Sequence, residues 1–285
     1  MNGKILSFLS TCIFFCISLP VQAETVLEKI QRTGVLRVAI RQDAPPLGYL
    51  DENDDLEGYC LNFFNLLEKQ LTKTLPRNVL SIKLLKSTAN NRFALVANNL
   101  ADLECGPNTI RLDPPDGVSF SQTFFITGTQ FLANKKGDRL KLDGDLNGAR
   151  LGVIKDTTTE EFVTETYPLA TVFRFSGVTA RTRGVQAVAQ GRIDAMVSDG
   201  ILLRAQAQQQ GLSASQYPLI PDTPLTCDRY GMIIGDEDPQ WRDFVNSVIN
   251  SPRVVALSET WFGELFDSDR LASNVCELNN RQNSK

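Results

Sequence analysis

Gly34-Val35-Leu36-Arg37-Val38-Ala39-Ile40 is the stretch from which the fold is read. A glycine followed by aliphatic and β-branched residues predicts a strand. Downstream, Leu61, Phe64, Leu67 and Leu71 recur at helical spacing, with Phe63 and Leu66 widening the apolar face. Ile82–Leu85 reads as a short strand, 91–100 as a helix with Phe93, Val96 and Leu100 on one side, and Ala101–Cys105 as another strand. The resulting β-α-β-α-β order predicts an open sheet with helical crossovers.

The same order repeats further along. Strands are expected at Leu151–Ile154, Thr171–Phe175 and Ala195–Val197. Helices are expected from Thr157 to about Thr166, over Thr179–Gln190 and over Asp199–Gln210. Thr157 and Glu160 have capping-box spacing, and Asp199 stands at an N-cap. Phe124–Ala133 and Tyr230–Ile234 read as extended connectors. The chain therefore crosses to a second lobe and returns. Asp238-Pro239 starts a helix, and Val254–Phe266 makes another, interrupted by Gly263. The expected architecture is α/β: 24–128 plus 226–285 as one lobe and 129–225 as the other, each an open, mostly parallel sheet flanked by helices. A cleft between such lobes, at strand ends and helix N-termini, is where open α/β sheets bind ligands.

Composition narrows the chemistry. The 285 residues contain no histidine and carry a formal charge of −4. Ser-His-Asp and Cys-His catalysis and histidine-ligated metals are excluded. No phosphate-binding glycine loop and no Lys/Arg block is present, so neither a nucleotide cofactor nor nucleic acid is expected. No cofactor or metal is expected; a carboxylate-only enzyme or a carboxylate metal site is the chemistry that composition leaves open.

Lys4, the apolar run Ile5–Leu19, Pro20 and Val21-Gln22-Ala23 have the form of a signal peptide cleaved after Ala23. Cys60, Cys105, Cys227 and Cys276 remain, an even number in an exported chain. Three connectivities are open; the working pairing is Cys60–Cys105 with Cys227–Cys276.

Several motifs appear in a fixed order: the opening strand, Pro45-Pro46-Leu47-Gly48-Tyr49 with Leu56-Glu57-Gly58-Tyr59, Ala101-Asp102-Leu103, Phe120-Ser121-Gln122-Thr123-Phe124-Phe125, Leu146-Asn147-Gly148-Ala149-Arg150-Leu151-Gly152-Val153 and Gly191-Arg192-Ile193-Asp194-Ala195. Each is weak alone. The ordered set resembles the family 3 extracellular solute-binding proteins, periplasmic amino-acid receptors of ABC importers. The resemblance covers nearly all of 24–268. It implies the two-lobed type II periplasmic binding-protein fold, a monomeric receptor and a membrane permease as partner. Asn91-Arg92, Glu104-Cys105-Gly106 and Phe125-Ile126-Thr127-Gly128-Thr129 resemble the glutamate/aspartate receptors within that family. In that subgroup, arginines at the positions of Arg41 and Arg92 bind the ligand's side-chain carboxylate, which suits a planar, bidentate guanidinium.

Two departures stand out. The family's α-carboxylate arginine falls at Pro114, and Arg111 is the obvious substitute, with Thr109 beside it. The subgroup's second-lobe histidine is absent, and Arg181 or Arg183 can supply positive charge there. Asp199 matches the family's ammonium-binding aspartate, with a plain helix cap as the bland alternative. Thr157, Thr158 and Thr159 open a helix whose free N–H groups favour an anion. Tyr59 packs either on the ligand's aliphatic part or in the core. The expected ligands are glutamate or aspartate, with glutamine next. The competing reading is a dehydratase-like enzyme on the same scaffold, with Glu57, Glu104 or Asp199 as general acid.

Overall fold

The computed structural model describes residues 24–77, 79–135, 140, 144–263 and 275–277. The expected signal peptide lies outside them.

Helix α1 (Val26–Thr33) is held at its start by a capping box between Thr25 and Glu28 and ends at Gly34, whose left-handed backbone turns the chain into β1 (Val35–Arg41). A small antiparallel sheet follows, from β2 (Asp43–Ala44), β3 (Gly48–Leu50) and β4 (Leu56–Glu57). Then come α2 (Tyr59–Thr74), β5 (Ser81–Ser87), α3 (Arg92–Ala97), β6 (Leu103–Cys105) and β7 (Val118–Phe120). Helix α3 is shorter than its apolar pattern suggested: Asn99 has φ +53, which ends the helix before Leu100.

Strands β8 (Phe125–Thr127) and β9 (Thr129–Ala133) lead to the second repeat: β10 (Arg150–Ile154), α4 (Thr158–Thr166), β11 (Thr171–Phe175), α5 (Ala180–Ala189), β12 (Ala195–Asp199), α6 (Gly200–Gln209) and β13 (Leu219–Ile220). The chain returns through β14 (Asp228–Tyr230) and β15 (Ile233–Gly235) and finishes with α7 (Pro239–Ile249) and α8 (Pro252–Phe262). Residues 264–266, read as the end of the last helix, lie outside the described residues.

The first large sheet has the order β5-β1-β6-β15-β7, and the second β11-β10-β12-β9-β13. In each, three strands run parallel through helical crossovers, and the two strands beyond them pair antiparallel. Leu36, Val38 and Ile40 of β1 pack with Phe63, Phe64, Leu67 and Leu71 of α2 and with Trp241 of α7, all buried. At about 1.5–3 kcal/mol per buried large apolar side chain, this layer dominates the first unit's stability. Trp241 also donates its indole N–H to the Asp102 carbonyl at 2.7 Å, so the C-terminal helices are fixed to the first sheet. Ile154, Val185, Val188, Met196 and Leu203 form one core layer of the second sheet, and Phe131, Leu151, Val153, Val163 and Val197 the other.

Between the sheets, β8 and β14 pair antiparallel, Thr127 opposite Asp228 and Phe125 opposite Tyr230. A Cβ added at Gly128 would lie 2.0 Å from the Thr226 carbonyl oxygen. Only glycine allows the two connectors to approach this closely. Cys60–Cys105 ties α2 to β6 with Cα atoms 5.7 Å apart, and Cys227–Cys276 ties the return connector to the C-terminal segment at 5.0 Å. This is the working pairing.

Candidate functional site

The ends of β1, β6, β10 and β12 and the starts of α3, α4 and α5 converge on one cavity. Arg41, Arg92, Thr109, Arg111, Thr157, Thr158, Thr159, Arg181 and Asp199 line it, together with Pro107, Ile154, Ser198 and Leu202. Nine of the residues singled out from sequence thus meet in one place. Tyr59 does not. Its ring is fully buried in the first core, 5.4 Å from Phe124 and 5.0 Å from Phe262 between centroids. It starts α2 with its side chain on the helix's core face, so the expectation that it packs on a ligand is corrected.

Asp199 occupies the N-cap position of α6 but does not cap it through its side chain. The Tyr230 hydroxyl donates to Asp199 Oδ2 instead, and Asp199 Oδ1 is buried without a hydrogen-bond partner. Burial raises the Asp199 carboxyl above the usual range, opposed by the Tyr230 hydrogen bond and by Arg181 and Arg92. The cap expectation is therefore wrong in its chemistry, and the second oxygen is available to a cation.

The arginines differ sharply. Arg41, 1% exposed, is bidentate to Asp43, Nε to Oδ1 at 2.8 Å and Nη2 to Oδ2 at 2.9 Å. Burial works against its charge, and Asp43 more than offsets that, leaving it above its ordinary value. Arg92 is 5% exposed, with Nε buried and unpartnered and its guanidinium 4.9 Å from the Phe93 ring centre. Burial and the neighbouring Arg41 charge push it down to about 10. Arg181 donates to Ser198 Oγ at 2.7 Å and, across the cleft, to the Asp43 carbonyl at 3.4 Å; burial lowers it. Arg111 reaches across the cleft to Glu161 at 3.2 Å and is more exposed than the other three. Arg183 is not part of the cavity lining; it donates to the Ser176 carbonyl at 2.6 Å.

Thr157 caps α4: its hydroxyl accepts the Glu160 N–H at 3.2 Å and donates to the Ile154 carbonyl at 2.7 Å. The reciprocal half of the expected capping box is absent, because the Glu160 carboxylate takes the Asp156 N–H and Arg174. Thr158 and Thr159 follow in the first turn, where backbone N–H groups have no intrahelical acceptor.

The candidate acids have other occupations. Glu104 is fully buried, accepts from Ser87 at 2.7 Å and from Asn108 at 2.6 Å, and is raised by burial. Glu57 is exposed and accepts from Tyr49 at 3.0 Å. Among the described residues no cluster of His, Cys, Asp or Glu has the geometry to hold a metal. Sequence reasoning missed Asp43, Ser198, Tyr230 and Asp228. Asp228 is buried, and burial and the Asp199 charge push it up to about 7.

A family model described as bacterial extracellular solute-binding proteins, family 3, matches residues 36–264. The glutamate/aspartate import solute-binding protein of Salmonella typhimurium is 27% identical over 246 residues, 86% of this chain and 80% of that one. The glutamine-binding protein of Geobacillus stearothermophilus is 26% identical over 185 residues, 64% of this chain and 68% of that one. Among solved structures, an ancestral amino acid-binding protein described as a precursor of cyclohexadienyl dehydratase superposes with a TM-score of 0.70 at 24% identity, over 84% of this chain and 99% of that chain. That likeness concerns the fold.

Proposed function

The chain belongs to the family 3 bacterial extracellular solute-binding proteins, and from that premise we propose that it is the periplasmic receptor of an amino-acid ABC importer, for acidic or polar L-amino acids: glutamate, aspartate or glutamine. Its fold is the two-lobed α/β type II binding-protein fold. Residues 24–128 with 226–285 act as one lobe and 129–225 as the other. In support, the strands of the two sheets divide along those lines apart from the paired connectors.

The observation that carries the reading is one cavity holding two unsatisfied buried groups of opposite charge, Asp199 Oδ1 and Arg92 Nε. An amino-acid zwitterion answers both. Its ammonium goes to Asp199. Its α-carboxylate goes to Arg92, with Thr109 and the N-terminus of α4 beside it. Arg111, already paired with Glu161, then acts at the rim. Ligand contacts to both lobes stabilise the closed arrangement and present it to the membrane permease. Export through a cleaved signal peptide completes this reading; among the described residues no helix is long and apolar enough to cross a membrane.

The enzyme reading has less support. Glu104 is held by Ser87 and Asn108, Glu57 lies away from the cavity, and Asp199 is the only one of the three acids lining it. Mass spectrometry of the small molecule released on denaturing the purified protein tests the proposal. An amino acid at near-stoichiometric yield supports it; a non-amino-acid metabolite contradicts it.

A further inference from the structure

We propose that Asp43 determines the side-chain specificity of this site: by occupying Arg41 it makes the cleft select amino acids with a neutral polar side chain and reject a second ligand carboxylate. The inference rests on the receptor reading above and deepens it.

Arg41 is one of the two guanidiniums, with Arg92, that an acidic side chain was expected to engage, yet its Nε and Nη2 are committed to the two oxygens of Asp43. Both partners are almost fully buried, with side chains 2% and 3% exposed. The pair is therefore little screened by water. The other buried charges around the cavity offer no surplus of positive charge for a second anion. Arg111 has Glu161. Arg92 and Arg181 have no ion-pair partner within 4.0 Å among the described residues, and neither do the buried carboxylates Glu104 and Asp199. With Asp228 also buried, the three arginines are already matched or outnumbered by carboxyl groups before a ligand enters. A zwitterion with a neutral side chain leaves that count unchanged. A dicarboxylate adds one negative charge beside Asp43, with Asp228 as a further buried acidic group within reach of the Asp199 charge. Arg41 still has N–H groups beyond those bound to Asp43, and these can serve an amide carbonyl without a net charge.

Asp43 is not among the residues that line the cavity, so it acts through Arg41 as a positioning residue. The readout must therefore be a ratio rather than a loss. Isothermal titration at pH 7 compares glutamine with glutamate, and asparagine with aspartate, on the full mature chain. The wild type should bind the amide of at least one pair tenfold or more tightly than its acid. Asp43→Asn, and independently Asp43→Ser, should shift that ratio toward the acid by tenfold or more, the factor carried by one pKa unit of like-charge repulsion. A wild type that favours the acid overturns the assignment without any variant needing to fold. Equal weakening of amide and acid by both variants overturns it too. A wild type that binds neither pair also overturns it, and titration with the other amino acids then decides the receptor reading on its own.

Discussion

The Tyr230 hydroxyl donates to Asp199 Oδ2 and leaves Asp199 Oδ1 buried without a partner. Tyr230 belongs to the return connector, and Asp199 ends a strand of the second sheet. A residue of the connector thus orients the carboxylate to which the proposed receptor function assigns the ligand's ammonium. Gly200, directly after Asp199, lies against the Gln130 side chain: an added Cβ would lie 1.8 Å from Gln130 Oε1, so that amide would have to move.

Asp199→Asn should remove binding of every amino acid, because all carry an α-ammonium. Breaking a buried charge pair costs about 3–5 kcal/mol, a hundredfold or more in affinity. Tyr230→Phe should cost about 1–2 kcal/mol, since the carboxylate stays but one neutral donor is lost. Calorimetric titration separates the two.

The arginines should fall into two classes. Arg92→Ala is expected to cost about 3–5 kcal/mol of binding free energy for acidic and neutral ligands alike, as the loss of a buried, unpaired anchor. Arg111→Ala should cost about 1 kcal/mol or less, because the Glu161 side chain opposite it is 57% exposed and the pair is solvent-screened. Affinities of both variants for one ligand, measured side by side, check the order.

Asp228 sits at about 7 in the folded protein, against an unfolded value near 3.8. Its raised carboxyl binds more protons folded than unfolded between those values. Stability should therefore be fully present below pH 4 as far as this group is concerned, and decline as pH rises through about 7. Asp199, raised in the same direction, adds to the slope. Asp228→Asn should flatten the decline between pH 4 and 7 and leave the ligand-free protein more stable at pH 8, by an amount on the order of a few kcal/mol. Denaturant midpoints at pH 5 and pH 8 give the comparison.

Cys60 and Cys105 close a loop of 45 residues between α2 and the strand that carries Glu104. Replacing both by alanine should lower stability by about 2–4 kcal/mol. Chemical denaturation of the variant, read against the wild type under oxidising conditions, measures it.

Much of the architecture was legible because each element carries its own period. The run from Val35 to Ile40, the Leu61–Leu71 helical face and the Asp238-Pro239 start needed no tertiary information. Arg41, Arg92, Thr157 and Asp199 were legible as residues facing one cavity because the sequence pattern places them at strand ends and helix starts. What stayed hidden depends on packing between distant segments. Tyr59 precedes a helix, and nothing local shows that its ring turns into the aromatic cluster with Phe124 and Phe262. Asp43 lies two residues from Arg41, but only the bend after β1 brings their side chains together. Tyr230 and Asp199 are 31 residues apart and meet because the connectors run side by side past Gly128. Helix α3 stops short because Asn99 adopts a left-handed conformation that apolar periodicity does not register.

Thermal unfolding of the mature protein with each of the twenty L-amino acids tests the central claim most directly. At a ligand concentration one hundred times the dissociation constant, a single-site receptor gains about 2.7 kcal/mol. For a chain of this size that raises the unfolding midpoint by roughly 5–10 °C. The account predicts such a rise with at least one of glutamine, asparagine, glutamate and aspartate, and its disappearance in Asp199→Asn. An unchanged midpoint with all twenty would contradict it.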